Sequence, residues 1–171
     1  MTLRKIVFYP NPLLKTICKP VSAVTKETAK FLDDLAETMY ANNGIGLAAP
    51  QIGILERMLV IDCNWREETP KKKLCQLVNP IITHREGTIE WEEGCLSIPE
   101  FLQNMKRSQR VTVEALDKNG KPMKIEAEDL FAVCLQHEID HLDGKLIIDK
   151  ASRLKRKLYL DKQEKKQGVA L

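Results

Sequence analysis

The sequence predicts an α+β protein. Mixed or antiparallel β-sheets would pack around a central helix bearing the pattern HExxH, with one further helix near the N-terminus and one at the C-terminus. Three observations predict this. Segments between residues 57 and 130 are rich in β-branched and aromatic residues and are punctuated by turn signals. At Asp129 the apolar spacing changes to that of a helix. Two flanking stretches, about 25–42 and about 150–166, also have helical patterns.

The first two dozen residues carry Pro10, Pro12 and Pro20, which favour extended or looping chain. Thr25 is a suitable N-cap, and Phe31, Leu32, Leu35 and Met39 recur at helical spacing until "NNG" at Asn42–Gly44 stops the helix. Strands are expected at 58–62, 74–84, 87–98, 110–117 and 122–128. Pro80, which has no N–H to donate, places its strand at an edge or at a bulge. "DKNGK" (117–121) marks a hairpin between the last two strands. From Asp129 to His141, residues Leu130, Val133, Cys134, His137 and His141 fall on one helical stripe, and Gly144 suits the stop.

A chain of 171 residues is expected to form one domain, 1–171, able to bury a sizeable core. No apolar run reaches the roughly 18–20 residues of a membrane span, and no signal peptide is read at the N-terminus. The five scattered cysteines include no CxxC pair. That spacing favours free thiols in a reducing cytoplasm over a disulfide framework. The net charge of +3 is too small to imply a DNA-binding protein. The charge is nevertheless unevenly placed: Lys150 to Leu171 holds eight Lys/Arg against two Asp/Glu, so +6 lies there and −3 on the remainder.

"QHEIDH" (136–141) is where the chemistry concentrates. On a helix, His137 and His141 share one face about 6 Å apart along the axis, a spacing that suits two nitrogen ligands on one metal. Glu138 would then stand beside the metal as a general base. Two ligands do not complete a site. The extended pattern with a third histidine six residues on fails, because that position is Ile147. Glu164, the only glutamate downstream, lies among Lys162, Lys165 and Lys166 and reads as a solvated charge. Cys134 is about 10.5 Å along the axis from His141, too far to share one ion with both histidines. Cys95, in "EEGCLSIP", sits where Gly, Ser and Pro interrupt a strand. The residues alone leave it as a third ligand or as an ordinary buried cysteine. His84 has no spacing signal and reads as structural or exposed.

Three blocks taken together, "GIGLAAPQIG" (44–53), "EGCLSIP" (93–99) and "QHEIDHL" (136–142), resemble the signature motifs of the peptide deformylase family in order and spacing. The resemblance implies one catalytic divalent metal held by Cys95, His137 and His141, with an open position for water. Fe²⁺ would be the native ion, and Zn²⁺, Ni²⁺ or Co²⁺ could substitute. It implies Glu138 as general acid/base, with the Gln51 amide and the Leu96 N–H stabilising the oxyanion. Backbone around Ile45, Gly46 and Gly94 would align the peptide. Leu130, Val133 and Cys134, with Ile45 and Trp91, would form the methionine pocket or simply be core. The implied reaction removes the N-formyl group from N-formylmethionyl nascent peptides and releases formate. A basic C-terminal helix would then be a candidate contact to the ribosome. Phe101 and Leu102 follow "SIPE", where some members carry an arginine at the second position; that departure touches the cleft rim. A zinc peptidase on the same helix and a closed Cys-Cys-His-His structural site are the alternatives.

Overall fold

The computed structural model describes residues 2–65 and 73–168. Helix α1 (Lys26–Ala41) begins at the Thr25 cap, whose hydroxyl accepts from the Thr28 N–H while Thr28 Oγ1 accepts from the Thr25 N–H. Strands β1 (Gly46–Ala48), β2 (Met58–Ile61), β3 (Cys75–Glu86), β6 (Arg110–Leu116) and β7 (Pro122–Glu128) form one antiparallel sheet in the order β1-β2-β3-β6-β7. Strands β4 (Ile89–Cys95) and β5 (Ile98–Arg107) form a separate hairpin. Helix α2 (Asp129–Leu142) carries the histidine pair, and α3 (Arg153–Gly168) closes the described chain. The α+β class is as expected.

Strand β2 shows why the sheet is a layer between helices. All four of its residues are buried, because the two faces meet different partners. Leu59 and Ile61 join Leu77, Val111, Val113, Leu135, Ile139 and Leu142 in the core under α2. Met58 and Val60 point the other way, to Leu32, Leu35 and Met39 of α1. Side chains alternate across a strand, so a run of four apolar residues serves both helices. A third cluster joins Ile98, Phe101 and Met105 of β5 to Leu14, Ile147, Ile148 and Tyr159, and so seats the hairpin on the C-terminal segment.

Several elements differ from the sequence expectation. The stretch 87–98 is not one strand: Leu96 and Ser97 form a turn, and the chain returns as β5, which the sequence reading missed. The burial parity of β5 changes between Ile98 and Phe101, where Glu100 takes a positive φ of 61°. The extra residue breaks the period-two signal. β1 was also missed, being three residues long. Pro80 does lie at a register shift, between Val78 and Ile81, but β3 is an interior strand, so the bulge holds and the edge does not. Asn79 makes the bulge with φ 52°, and its side chain bonds both the N–H and the carbonyl of Val21. The C-terminal helix starts at Arg153, after a 3-10 turn at Ile147–Lys150, with Ser152 Oγ accepting from the Lys155 N–H.

Candidate metal centre

Helix α2 presents His137 and His141 on one face, and the end of β4 brings Cys95 to them. His141 Nε2 lies 3.2 Å from His137 Nε2 and 3.3 Å from Cys95 Sγ. The three donor atoms all lie within 4.8 Å of one another. This is the one group of at least three His, Cys, Asp or Glu side chains among the described residues that could hold a metal ion. One soft thiolate with two imidazoles suits Fe²⁺ or Zn²⁺, and three protein donors leave a fourth position for water or substrate.

The surroundings fix one imidazole directly. His137 Nδ1 donates to Glu93 Oε2 at 2.8 Å, which leaves Nε2 for the centre. Arg107 grips the same carboxylate twice, through Nε at 2.7 Å and Nη2 at 2.9 Å, and reaches Asp140 through Nη1. Burial raises the Glu93 pKa, but its bonds to Arg107 and His137 outweigh burial and hold it below the ordinary carboxylate range. Burial also pushes His137 down, yet the Cys95 thiol and Glu93 more than reverse this and favour its cationic form. Burial and the neighbouring His137 keep His141 neutral. A centre that stabilises positive charge in this way suits a divalent cation, which would displace the proton.

Glu138 stands next to the centre, only 5% exposed, and burial pushes its carboxyl up to about 7. Its Oε2 has no hydrogen-bond partner among the described residues. A buried carboxylate oxygen without a partner is costly unless a water or substrate group meets it. Gln51 is oriented unambiguously. Its Oε1 accepts from the Ala48 N–H at 2.8 Å, so Nε2 faces Ser97 Oγ at 3.2 Å and Cys95 Sγ at 3.6 Å.

These groups open onto a cleft of about 470 Å³. One wall is Ile45, Gly46 and Gln51; the other is Trp91, Gly94, Cys95 and Leu96. The floor is α2, through Leu130, Val133, Cys134, His137 and Glu138. His141 lies deeper, 1% exposed. The walls are the edge strands β1 and β4 of their respective sheets. Their free edges suit an extended peptide laid between them. A Cβ at Gly46 would fall 2.4 Å from Glu138 Oε1, so any side chain there would push that carboxylate from its place.

The structure therefore places at this cleft every residue that the sequence blocks imply as metal ligand, catalytic group or peptide contact. Glu93, Arg107 and Asp140 were missed. The available signal was parity: Glu93 is two residues from Cys95, so both side chains leave β4 on the same face. His84 is exposed on β3 and plays no part.

A cysteine sulfur, two imidazoles and a buried carboxylate at the base of one cleft define a metal-dependent hydrolase. Comparison with known proteins gives the family. The family profile for polypeptide deformylase matches residues 3–157. A peptide deformylase of Thermodesulfovibrio yellowstonii is 49% identical over 167 residues, covering 98% of this chain and 100% of that protein. The crystal structure of a peptide deformylase from Legionella pneumophila superposes with a TM-score of 0.89 at 42% identity, over 99% of this chain and 98% of the other. That of Ehrlichia chaffeensis in complex with actinonin gives 0.90 at 37% identity, over 97% and 98%. The chain belongs to the peptide deformylase family.

Proposed function

We propose that residues 1–171 act as a single catalytic domain that hydrolyses the formamide of N-formylmethionine at the N-terminus of newly made polypeptides, releasing formate. The observation that carries this is the convergence of Cys95, His137 and His141 beside the unpartnered Glu138 carboxylate in a cleft walled by two strand edges. Cys95, His137 and His141 would hold one divalent ion, Fe²⁺ in the native enzyme, with Zn²⁺, Ni²⁺ or Co²⁺ able to replace it. Such an ion supplies Lewis acidity and makes its bound water acidic near neutral pH.

Glu138 takes the proton of the attacking water and delivers it to the departing amine as the C–N bond breaks. A carboxyl held near neutrality suits both halves of that transfer. The Gln51 amide and the Leu96 N–H donate to the oxygen that gains charge. One donor of this kind is typically worth about 2.7–4 kcal/mol. Backbone at Ile45, Gly46 and Gly94 aligns the peptide. Leu130, Val133 and Cys134 receive the methionine side chain, with Ile45 alongside and Trp91, 37% exposed, at the mouth.

The decisive assay is formate release from formyl-Met peptides by anaerobically iron-loaded protein, compared with metal-stripped protein and with peptides lacking the formyl group. Cleavage of internal peptide bonds instead would overturn the assignment. No helix among the described residues is long and apolar enough to cross a membrane. The substrate implies a cytoplasmic place of work, and the basic α3 suits ribosomal RNA beside the emerging chain. Reversing the charge of exposed lysines on α3 should weaken ribosome binding and its salt dependence; unchanged binding would remove that partner.

A further inference from the structure

We infer that Trp65 is a positioning residue for the cleft: with Tyr40 and Asp62 it holds the backbone of residues 44–46, the wall that aligns the peptide. The part played in alignment rests on the deformylase reading; the hold itself does not. Trp65 is outside the cleft lining, whereas Gly44, Ile45 and Gly46 belong to it. The wall starts where α1 ends, and the Gly44 N–H donates to the Met39 carbonyl at 2.8 Å. The other end of the same residue is held by Trp65, whose indole Nε1–H donates to the Gly44 carbonyl at 2.8 Å. The Asp62 N–H then donates to the Ile45 carbonyl at 2.9 Å, and Gly46 follows opposite Ile61 of β2. In an antiparallel pair, backbone groups point alternately towards and away from the neighbour. With the Ile45 carbonyl turned to Asp62, Gly46 presents its own N–H and carbonyl to the free edge, where the peptide would lie.

Asp62 builds the turn that brings Trp65 to the wall. Its side chain is fully buried, and Oδ1 accepts from the Asn64 N–H at 3.2 Å, an Asx turn that bends the chain beyond β2. Its Oδ2 accepts from the Tyr40 hydroxyl at 2.8 Å. Tyr40, on α1, in turn meets the Trp65 ring edge to face, with centroids 5.2 Å apart and planes at 76°. Asp62 therefore orients Tyr40, and Tyr40 orients the indole that grips Gly44. Three side chains tie the last turn of α1, the end of β2 and the wall into one unit. None of the three touches the metal ligands, so the unit acts on the peptide only through the backbone it holds.

The test is Trp65→Phe in nickel-loaded enzyme, which keeps a ring against Tyr40 and removes the indole N–H. Well below the Tm of both proteins, the KM for a formyl-Met tripeptide should rise about 3–10-fold, the span of one net hydrogen bond, with kcat within about twofold of wild type. Tyr40→Phe removes the hydroxyl bond to Asp62 and keeps the ring, so it should move KM the same way by less. Amide exchange should quicken over residues 42–48 and keep its wild-type rate in α2. Faster exchange there with unchanged KM would overturn the link to the substrate. Unchanged exchange over 42–48 would overturn the hold, and exchange quickened equally in α2 would show general loosening and overturn both. Wild-type protein that released no formate would sink the deformylase reading instead, while the exchange measurement would still report on the hold.

Discussion

Replacing Arg107 with methionine separates the centre from what holds it. The wild-type guanidinium is 8% exposed in its side chain and makes a bidentate contact with Glu93, itself 4% exposed, plus a contact with Asp140. Methionine keeps much of the volume and removes the charge. Glu93 then has only His137 as partner, and a carboxylate so buried has two ways out. It can stay ionised, which for a broken buried pair costs about 3–5 kcal/mol. It can protonate, which from an ordinary carboxyl pKa of 4.5 to pH 7 costs about 3.4 kcal/mol at about 1.36 kcal/mol per unit. The two routes agree, so a loss of about 3–4 kcal/mol is expected. For a chain of this length that lowers Tm by roughly 10 °C. Protonation also weakens the acceptor of the His137 Nδ1–H, and losing a support of this kind typically costs 10–100-fold in metal affinity. Thermal unfolding with and without metal, together with chelator competition, measures both. A Tm within about 2 °C of wild type, with unchanged metal affinity, would refute the reasoning. The double variant Arg107→Met/Glu93→Gln should recover part of the stability, because it leaves no unpaired carboxylate at position 93.

Glu138→Gln keeps the shape but cannot move a proton; formate release should fall at least about 10²-fold while metal content is retained. Gly46→Ala should lower kcat by about 10²-fold, since its Cβ would press on the Glu138 carboxylate and a displacement near 1 Å costs about that much; near-normal kcat would show the carboxylate free to move. Gly144→Ala should destabilise the fold by about 2–4 kcal/mol in denaturant titration, because φ is +69° and a Cβ would lie 2.5 Å from the backbone oxygen of Lys15. Glu100 is held at a pKa of about 2 by Lys162 and Lys166, so its tether to α3 is fully present above the ordinary value near 4.5 and is lost as pH falls from there towards 2. Faster amide exchange of α3 over that range, and with added salt near neutrality, is the expected readout.

The parts of the fold that could be read in the sequence are those whose causes are local. The Thr25 cap, the "DKNGK" turn, in which Asp117 Oδ1 accepts from the Asn119 and Lys121 N–H groups, and the Gly144 stop each depend on a few adjacent residues. The histidine pair is likewise set by helical spacing alone. β5 was hidden because one residue at positive φ shifts its parity, and β1 because three residues give no period. Cys95 was visible only as one of two alternatives until the three sequence blocks were taken together. Its approach to the histidines depends on a turn and a hairpin, some forty residues away in the chain. Arg107 gave no local signal, since its partners lie 14 and 33 residues away.

That division has a physical reason. A catalytic centre must combine donors from elements that cannot drift together, and here each comes from a differently anchored piece. α2 is fixed by Leu135, Ile139 and Leu142 in the sheet core; β4 is fixed through β5 to the C-terminal segment; Gln51 is fixed by the Ala48 N–H. Glu93 and Arg107 link two of these pieces, because they come from the hairpin and bind His137 and Asp140 of α2. The network therefore sets the distance between Cys95 and the histidine helix as well as the orientation of one imidazole. Residues that set such a distance have long-range partners by necessity, so a local sequence pattern reveals the ligands and leaves their supports to the folded structure.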